Sequence, residues 1–156
     1  MVDLKELIKG GEKLAKKQLL VHQVSELIPM FHLVSPDGDN DVIVGCPWRN
    51  SDEKQIIVSQ VKDKSHEMGA IAVMFIAEAW MASIPEGTNL AYVDPPSQQP
   101  NRIEVVMLAA LDNKGNKEVS QLKIIRDRPG GEITALEKLK SDVGEYQLNL
   151  LEGLLP

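Results

Sequence analysis

The chain has 156 residues, 43% of them hydrophobic and 26% charged, which is the composition of an ordinary globular domain that buries one core. Its formal net charge of -6 disfavours nucleic acid and anionic membranes as partners, because both attract clusters of lysine and arginine. The charge is uneven. Residues 1–22 carry five lysines against three acidic residues, a net of +2, so the remainder carries -8. We predict a single domain over residues 1–156.

One cysteine, Cys46, excludes an internal disulfide and is typical of a reducing compartment. The N-terminal residues show no basic segment followed by an apolar run, so no signal peptide is predicted. The most apolar run, residues 69–83, contains Glu78 and is shorter than the roughly 20 apolar residues that span a bilayer. These features predict a cytoplasmic protein without a membrane partner.

Residues 3–24 are predicted to form a helical N-terminal arm, because apolar residues recur at helical spacing near one face. The apolar stripe is thin, so we expect the arm to dock on the body of the domain or on another subunit. Gly10-Gly11 interrupts the pattern. Each glycine costs about 1 kcal/mol relative to alanine in a helix interior, so a break or kink is expected there.

Two apolar segments, residues 27–35 and 41–45, are predicted to form a β-hairpin around a segment rich in turn-forming residues. The turn contains Asp37-x-Asp39-x-Asp41, the spacing with which a calcium loop begins. The residues that follow lack the glycine and the glutamate which that loop requires. A polar hairpin turn is therefore the better interpretation.

The best-specified helix is predicted to begin after Asn50 and to end before Gly69. Asn50 with Glu53 three residues later, or Ser51 itself, provides N-cap chemistry. His66 and two lysines fall in the last turns, where the helix dipole favours positive charge. Gly69 suits the left-handed position just past a helix end.

Residues 69–83 are predicted to form the central strand of a sheet. The alternative is a second helix, since alanine, methionine and glutamate are good helix formers. A strand is preferred because the glycine stop precedes the run and its β-branched and aromatic residues favour a pleated surface. Both alternating sets of side chains are apolar, which indicates a strand with both faces covered.

A proline-rich connection over residues 84–101 leads to two further predicted strands, 102–112 and 118–127. The segment between them is a hairpin turn signal. If Asn113 lies opposite Asn116, Met107 faces Leu122 across the hairpin, and the inferred core side is the same on both strands.

A short helix is predicted over residues 132–140, followed by a leucine-rich C-terminal tail over residues 141–156. The order is then helix-strand-strand-helix-strand-strand-strand-helix, similar to that of profilin-like and roadblock-type proteins. This order predicts an α+β fold, with an antiparallel sheet of about five strands and helices packed mainly on one face. The predicted core spans residues 27–140.

Three short segments carry a resemblance to known sequences: Glu78-Ala-Trp80, Pro96-Ser-Gln-Gln-Pro-Asn-Arg102-Ile-Glu104 and Ile125-Arg126. Together they resemble a group of uncharacterised bacterial and phage proteins over roughly residues 27–128. The resemblance implies no activity and no functional residues.

Glu78 is the most informative polar residue, because a carboxylate in a central strand is costly unless it is paired. Arg102 and Arg126 lie at predicted strand ends and could reach it, with Glu104 as a competitor. One interpretation is a ligand or acid–base site beside Trp80 and the proline-rich connection. The preferred interpretation is a structural ion-pair network, since no second acid, nucleophile or metal set is evident nearby.

Cys46 begins a Cys-Pro-Trp-Arg segment that lacks the second cysteine of a redox motif. A catalytic thiol would need a base such as His32 from the neighbouring strand, and a small buried residue is the preferred reading. The three histidines have no metal-ligand spacing, and no motif for a cofactor or metal is present.

The leading functional hypothesis is a non-catalytic interaction module that forms a homodimer or binds another protein. The alternative is a small-molecule-binding protein or enzyme with a cleft formed by Glu78, Arg102 and Arg126 under the 84–101 connection. A third possibility is an inhibitor directed at a phage or host protein. No small-molecule ligand is identified.

Overall fold

The computed structural model of the protein describes residues 2–82, 87–139 and 150–156. The elements in chain order are α1 (Leu4–Lys16), which continues into a π-helical turn (Lys17–Val21), β1 (Met30–Val34), β2 (Val42–Gly45), α2 (Ser51–Met68), β3 (Ala72–Met81), β4 (Ile103–Asp112), β5 (Lys117–Arg126) and β6 (Ile133–Lys138). Short 3-10 turns at Leu90–Tyr92 and Pro96–Gln98 separate β3 from β4.

All strand pairs are antiparallel, and the sheet has the order β2-β1-β3-β4-β5-β6. The predicted α+β class is confirmed, with six strands in the described part of the chain instead of about five. β3 lies inside the sheet, between β1 and β4. The prediction of a central strand within residues 69–83 is therefore confirmed over Ala72–Met81.

Two apolar clusters cover the two faces of the sheet, because alternate residues of each strand point to opposite sides. On the first face, which we call the α1 face, α1 packs on β3, β4 and β5. On the second, the α2 face, residues of α2 and of the C-terminal turn pack against β1, β3 and β4. The helices thus divide between both faces, where we expected them mainly on one. The reason is that β3 is apolar on both sides and needs both covered.

The N-terminal arm is helical, but the expected break at Gly10-Gly11 does not occur. Asp3 caps α1 by accepting hydrogen bonds from the amides of Lys5 and Glu6 at 3.0 and 3.3 Å. A Cβ atom at Gly11 would lie 2.7 Å from Cδ2 of Leu108 and 2.9 Å from the sulfur of Met74. Gly11 therefore allows the helix to lie close to the sheet, and the packing offsets its low helix propensity.

α2 has the predicted caps at both ends. The Asn50 side chain accepts from the Glu53 amide at 2.8 Å, and Glu53 accepts from the Arg49 amide. Gly69 has φ 65, the left-handed conformation that ends the helix, and its amide donates to His66. These local signals decide the helix boundaries.

The helix predicted over residues 132–140 is instead the edge strand β6, and residue 140 lies outside the described residues. Ile124 pairs with Leu136 and Arg126 with Ile133, so the register shifts by one residue at Thr134. This bulge brings Ile133 and Leu136 to the same side of the strand, against the α1-face cluster. The three-residue spacing of Ile133 and Leu136, which suggested a helix, is thus produced by a bulged strand.

The predicted register of the β4–β5 hairpin was wrong by one residue. Met107 lies opposite Gln121 and Val106 opposite Leu122. The loop holds three residues between Asp112 and Asn116, with Gly115 at φ 84, where we expected two. With one more residue in the loop than expected, each β5 side chain lies on the opposite face from the one we predicted relative to β4.

The leucine-rich tail is described only from residue 150 onward, so residues 141–149 of that prediction lie outside the described residues. Leu151 and Leu154 are buried in the α2-face cluster. Within the described chain, no helix combines the length and the apolar character needed to cross a bilayer.

Candidate functional site

The five candidate residues Glu78, Trp80, Arg102, Glu104 and Arg126 lie in one region, at the end of β3, the start of β4 and the end of β5. Trp80 lies opposite Glu104 across the β3–β4 pair. Even-numbered residues of these strands point to the α1 face. The candidate residues among them lie beyond the part of the sheet on which α1 packs. In the observed β4–β5 register, even-numbered residues lie opposite even-numbered residues, so Arg126 is on the same face as Glu104.

Arg126 and Glu104 form a bidentate ion pair. The guanidinium Nε donates to Oε1 and Nη2 donates to Oε2, each at 2.9 Å, while Nη1 donates to the Gly131 carbonyl at 2.7 Å. The hydrogen bonds to Glu104 raise the pKa of Arg126 above its ordinary value. The pair therefore ties the turn between β5 and β6 to the neighbouring strand β4.

Glu78 has a different partner from the one we expected. Its Oε1 accepts a hydrogen bond from the Leu27 amide at 3.0 Å. Burial raises the pKa of Glu78, the Leu27 hydrogen bond opposes that rise, and the carboxylates of Glu26 and Glu104 add to it. Arg126 lowers this pKa only through space, because its guanidinium is engaged by Glu104.

Arg102 packs on Trp80 instead of reaching Glu78. Its guanidinium carbon lies 4.8 Å from the centre of the indole ring, a cation–π distance. Trp80 remains 42% exposed. The candidate residues thus form three linked contacts: an ion pair, a carboxylate on a backbone amide, and a cation on an indole.

A cavity of about 640 Å³ adjoins the ion pair. Its walls come from the end of the π-helical turn, the ends of β3 to β5 and the β5–β6 turn, and its lining residues are Leu19, Gln23, Val24, Ser25, Trp80, Glu104, Arg126, Gly130, Gly131, Glu132 and Ile133. The described residues of the 84–101 connection do not line it. A smaller cavity of about 230 Å³ is lined by Glu26, Glu78, Ala79, Trp80 and Glu104.

Sequence reasoning missed Gln23 and Glu132 at this cavity. The Gln23 amide nitrogen donates to the Glu132 carboxylate at 2.9 Å and so joins segments 109 residues apart. Gln23 has φ 49, a left-handed conformation that side chains other than glycine rarely adopt. Neither residue belongs to a motif, so no sequence signal could have identified them.

Cys46 is buried among α2-face residues, and burial raises the pKa of its thiol to about 11. Its sulfur donates to the Val44 carbonyl at 3.4 Å. His32 points to the α1 face and contacts Asp41 at 2.8 Å. The thiol is therefore neutral at physiological pH, and His32, the base considered for it, lies on the other face of the sheet, which argues against a catalytic cysteine.

The turn between β1 and β2 is held by its own carboxylates. Asp37 accepts from the Asp39 amide, the Ser35 hydroxyl and the Asn40 side chain, and these hydrogen bonds lower its pKa to about 2. This geometry is that of a polar turn. In the described part of the chain, no three His, Cys, Asp or Glu side chains are grouped as metal ligands would be.

A second candidate surface lies at the opposite edge of the sheet, on the α1 face of β1 and β2. We call it the β2-edge surface and define it by Met30 and Ile43, which point to this face, together with exposed Ile28, which precedes β1 in the chain. Ile28 is 51% exposed and Ile43 is 59% exposed, while Met30 is half-buried. α1 packs on β3, β4 and β5, and Met30 packs at the margin of the α1-face cluster, while Ile28 and Ile43 remain exposed.

Comparisons of the chain with models of known protein families, with curated proteins and with solved structures find no match.

Proposed function

We propose that the protein is a non-catalytic interaction module that associates with a second copy of itself. The observation that carries the proposal is the exposure of Ile28 and Ile43 on the β2-edge surface. Single exposed apolar residues are common on soluble proteins, but Ile43 lies on the edge strand β2, and Ile28 precedes β1, the strand that pairs with β2. Apolar side chains beside such an edge are what a sheet-forming partner would bury.

The ion-pair region supports a structural role more than a catalytic one. The Arg126 guanidinium uses Nε, Nη1 and Nη2 to hold Glu104 and the Gly131 carbonyl. The Glu78 carboxylate holds the Leu27 amide. These contacts fix two segments to the sheet: the chain before β1 and the β5–β6 turn. Their role is therefore to hold the fold in one arrangement.

The test is the oligomeric state in solution, measured by sedimentation equilibrium and light scattering over a roughly hundredfold range of concentration. We expect a dimer that dissociates on dilution. A monomer at every concentration would overturn the proposal.

A matched pair of variants then locates the surface. Ile43→Lys places a charge at the β2-edge surface, and Ile56→Lys does the same at a 60% exposed position on the outer side of α2. We expect Ile43→Lys to be monomeric and Ile56→Lys to remain dimeric. Equal behaviour of the two variants would exclude this surface as the site of association.

A second candidate function is small-molecule binding, which the cavity of about 640 Å³ favours. Its volume lies within the range of ligand pockets, and apolar Leu19 and Ile133 line it together with Arg126 and Glu132. A panel of common metabolites should then contain a compound that raises the Tm of the wild-type protein. The rise should vanish in Ser25→Trp, which fills the cavity from an exposed position. A panel without any such compound would remove the support for this candidate.

A further inference from the structure

Among the described residues, the outer side of the β2 backbone has hydrogen-bonding groups without a strand partner. The Cys46 amide donates to the Pro29 carbonyl at 2.7 Å, which places the amide of Cys46 on the side of β1. In antiparallel strands the amides and carbonyls of successive residues point to alternate sides. Ile43 and Gly45 therefore direct theirs to the outer side, where no described strand pairs with β2.

The two edges of the sheet differ in how they are protected from pairing. β6 carries a bulge at Thr134 and ends in Glu137 and Lys138, and bulges and exposed charges are features that discourage edge-to-edge association. β2, with the sequence Val-Ile-Val-Gly, contains no charge, no proline and no bulge. Of the two edges in the described sheet, β2 is therefore the one that offers a regular apolar edge to another strand.

The charges beside β2 are arranged to suit a second copy of the same strand. Asp37, Asp39 and Asp41 precede β2, whereas Arg49 follows it with a side chain that is 86% exposed and contacts Glu53 of its own chain at 3.2 Å. An antiparallel partner reverses the direction of the strand. The acidic turn of one copy would then lie beside Arg49 of the other, and the arrangement would repeat at both ends of the pair.

We propose that two copies join through antiparallel pairing of their β2 strands, about a two-fold axis at Ile43, so that the two sheets form one continuous sheet of twelve strands. In this register Ile43 of each copy exchanges both backbone hydrogen bonds with Ile43 of the other, and their side chains meet on the α1 face. Val42 lies opposite Val44 of the other copy on the α2 face, so both faces of the seam are apolar. The inference rests on the proposed homodimer and specifies its geometry.

A disulfide tests the axis. Residues that exchange hydrogen bonds across antiparallel strands have Cα atoms about 5.5 Å apart, within the range a disulfide bridges. Ile43→Cys should therefore convert most of the protein to a covalent dimer under mild oxidation. Ile56→Cys, at an equally exposed position on α2, is the control and should give little. Cys46 can remain in both variants because its thiol is buried with a pKa raised to about 11.

A charge exchange tests the register independently. Arg49→Glu faces the acidic turn of the other copy with a like charge and should raise the Kd of the dimer about tenfold, whereas Asp39→Lys combined with Arg49→Glu should restore it. A dimer that fails to cross-link at position 43, or that is insensitive to Arg49→Glu, would overturn the β2 pairing while leaving the homodimer intact. A wild-type monomer would overturn both.

Discussion

The two halves of β3 share one alternating apolar sequence but have different surroundings. Residues 72–76 are buried on both faces, while residues 77–81 are half-buried apart from Trp80, which is exposed. In the first half, α1 packs on one face and the α2-face cluster covers the other. In the second half, the α1 face borders the cavity and the ion pair. Coverage by other elements, not the strand's own apolar pattern, therefore decides where the core ends.

The same comparison explains how the central strand accommodates Glu78. The carboxylate lies in the half where the helix no longer covers the sheet, and the Leu27 amide reaches it there. Two residues further on, Trp80 carries Arg102 on its ring. Polar side chains thus begin on β3 where the covering helix ends.

The largest effect is expected in the covered half. Phe75 is 5% exposed, and its ring lies 4.7 Å from that of Phe31 and 6.0 Å from that of Trp48. Phe75→Ala should lower the free energy of unfolding by about 4 kcal/mol, because it leaves a cavity in a close-packed cluster. Trp80→Ala, in the open half, should lower it by about 1 kcal/mol or less. Urea denaturation measures both, and similar losses would contradict the division of the strand.

The next largest effect concerns the ion pair. Arg126→Met keeps the aliphatic stem but leaves Glu104 and the Gly131 carbonyl without their donors, so we expect a loss of about 2 kcal/mol. Adding Glu104→Gln should recover part of that loss, because it removes the unpaired charge. Arg102→Met, which loses only an exposed cation–π contact, should cost about 0.5 kcal/mol. Equal losses for both arginine variants in urea denaturation would contradict the structural role of the pair.

A smaller effect is expected where α1 meets β3. Gly11→Ala gains helix propensity but pushes a methyl group against Met74 and Leu108, so a net loss of about 1 kcal/mol should result. Gly10→Ala has nothing within 4 Å of its new Cβ and should gain up to about 1 kcal/mol. Thermal unfolding of the two variants compares them directly. A stabilised Gly11→Ala would show that the helix lies farther from the sheet.

The smallest effect concerns Glu78, through pH. Since burial raises its pKa in the folded protein, the charged form is disfavoured by folding at neutral pH. As pH falls, the folded protein takes up this proton before the unfolded chain does. The wild-type protein should therefore gain stability between the raised pKa and the ordinary value, and the gain is complete below the ordinary value. Glu78→Gln keeps an acceptor for the Leu27 amide, so at pH 7 it should raise the Tm slightly. The variant's Tm should also lose that part of the pH dependence, and a lower Tm at pH 7 would indicate that the charge itself is stabilising.

Local signals predicted the elements whose boundaries depend on neighbouring residues. The cap at Asn50 and the left-handed Gly69 identify α2, and the two apolar sets of residues 69–83 identify a central strand. The five candidate residues lie in one region, and their contacts differ from those we expected from the sequence. Glu78 binds the Leu27 amide and Arg126 binds Glu104, because the partner of a charged side chain depends on strand register and on loops that converge from distant parts of the chain.

The amino-acid sequence by itself determined the fold class, the caps of α2, and the need of β3 for cover on both faces, since these follow from spacing and composition. Only the tertiary structure decided the continuity of α1 through Gly11, the register of β5 and the conversion of residues 133–138 into a bulged strand. Each of these depends on contacts between residues far apart in the chain: a close helix–sheet approach, a three-residue turn and an edge available for pairing. The same is true of the β2 edge, because α1 packs on β3 to β5 and Ile43 of β2 is left 59% exposed.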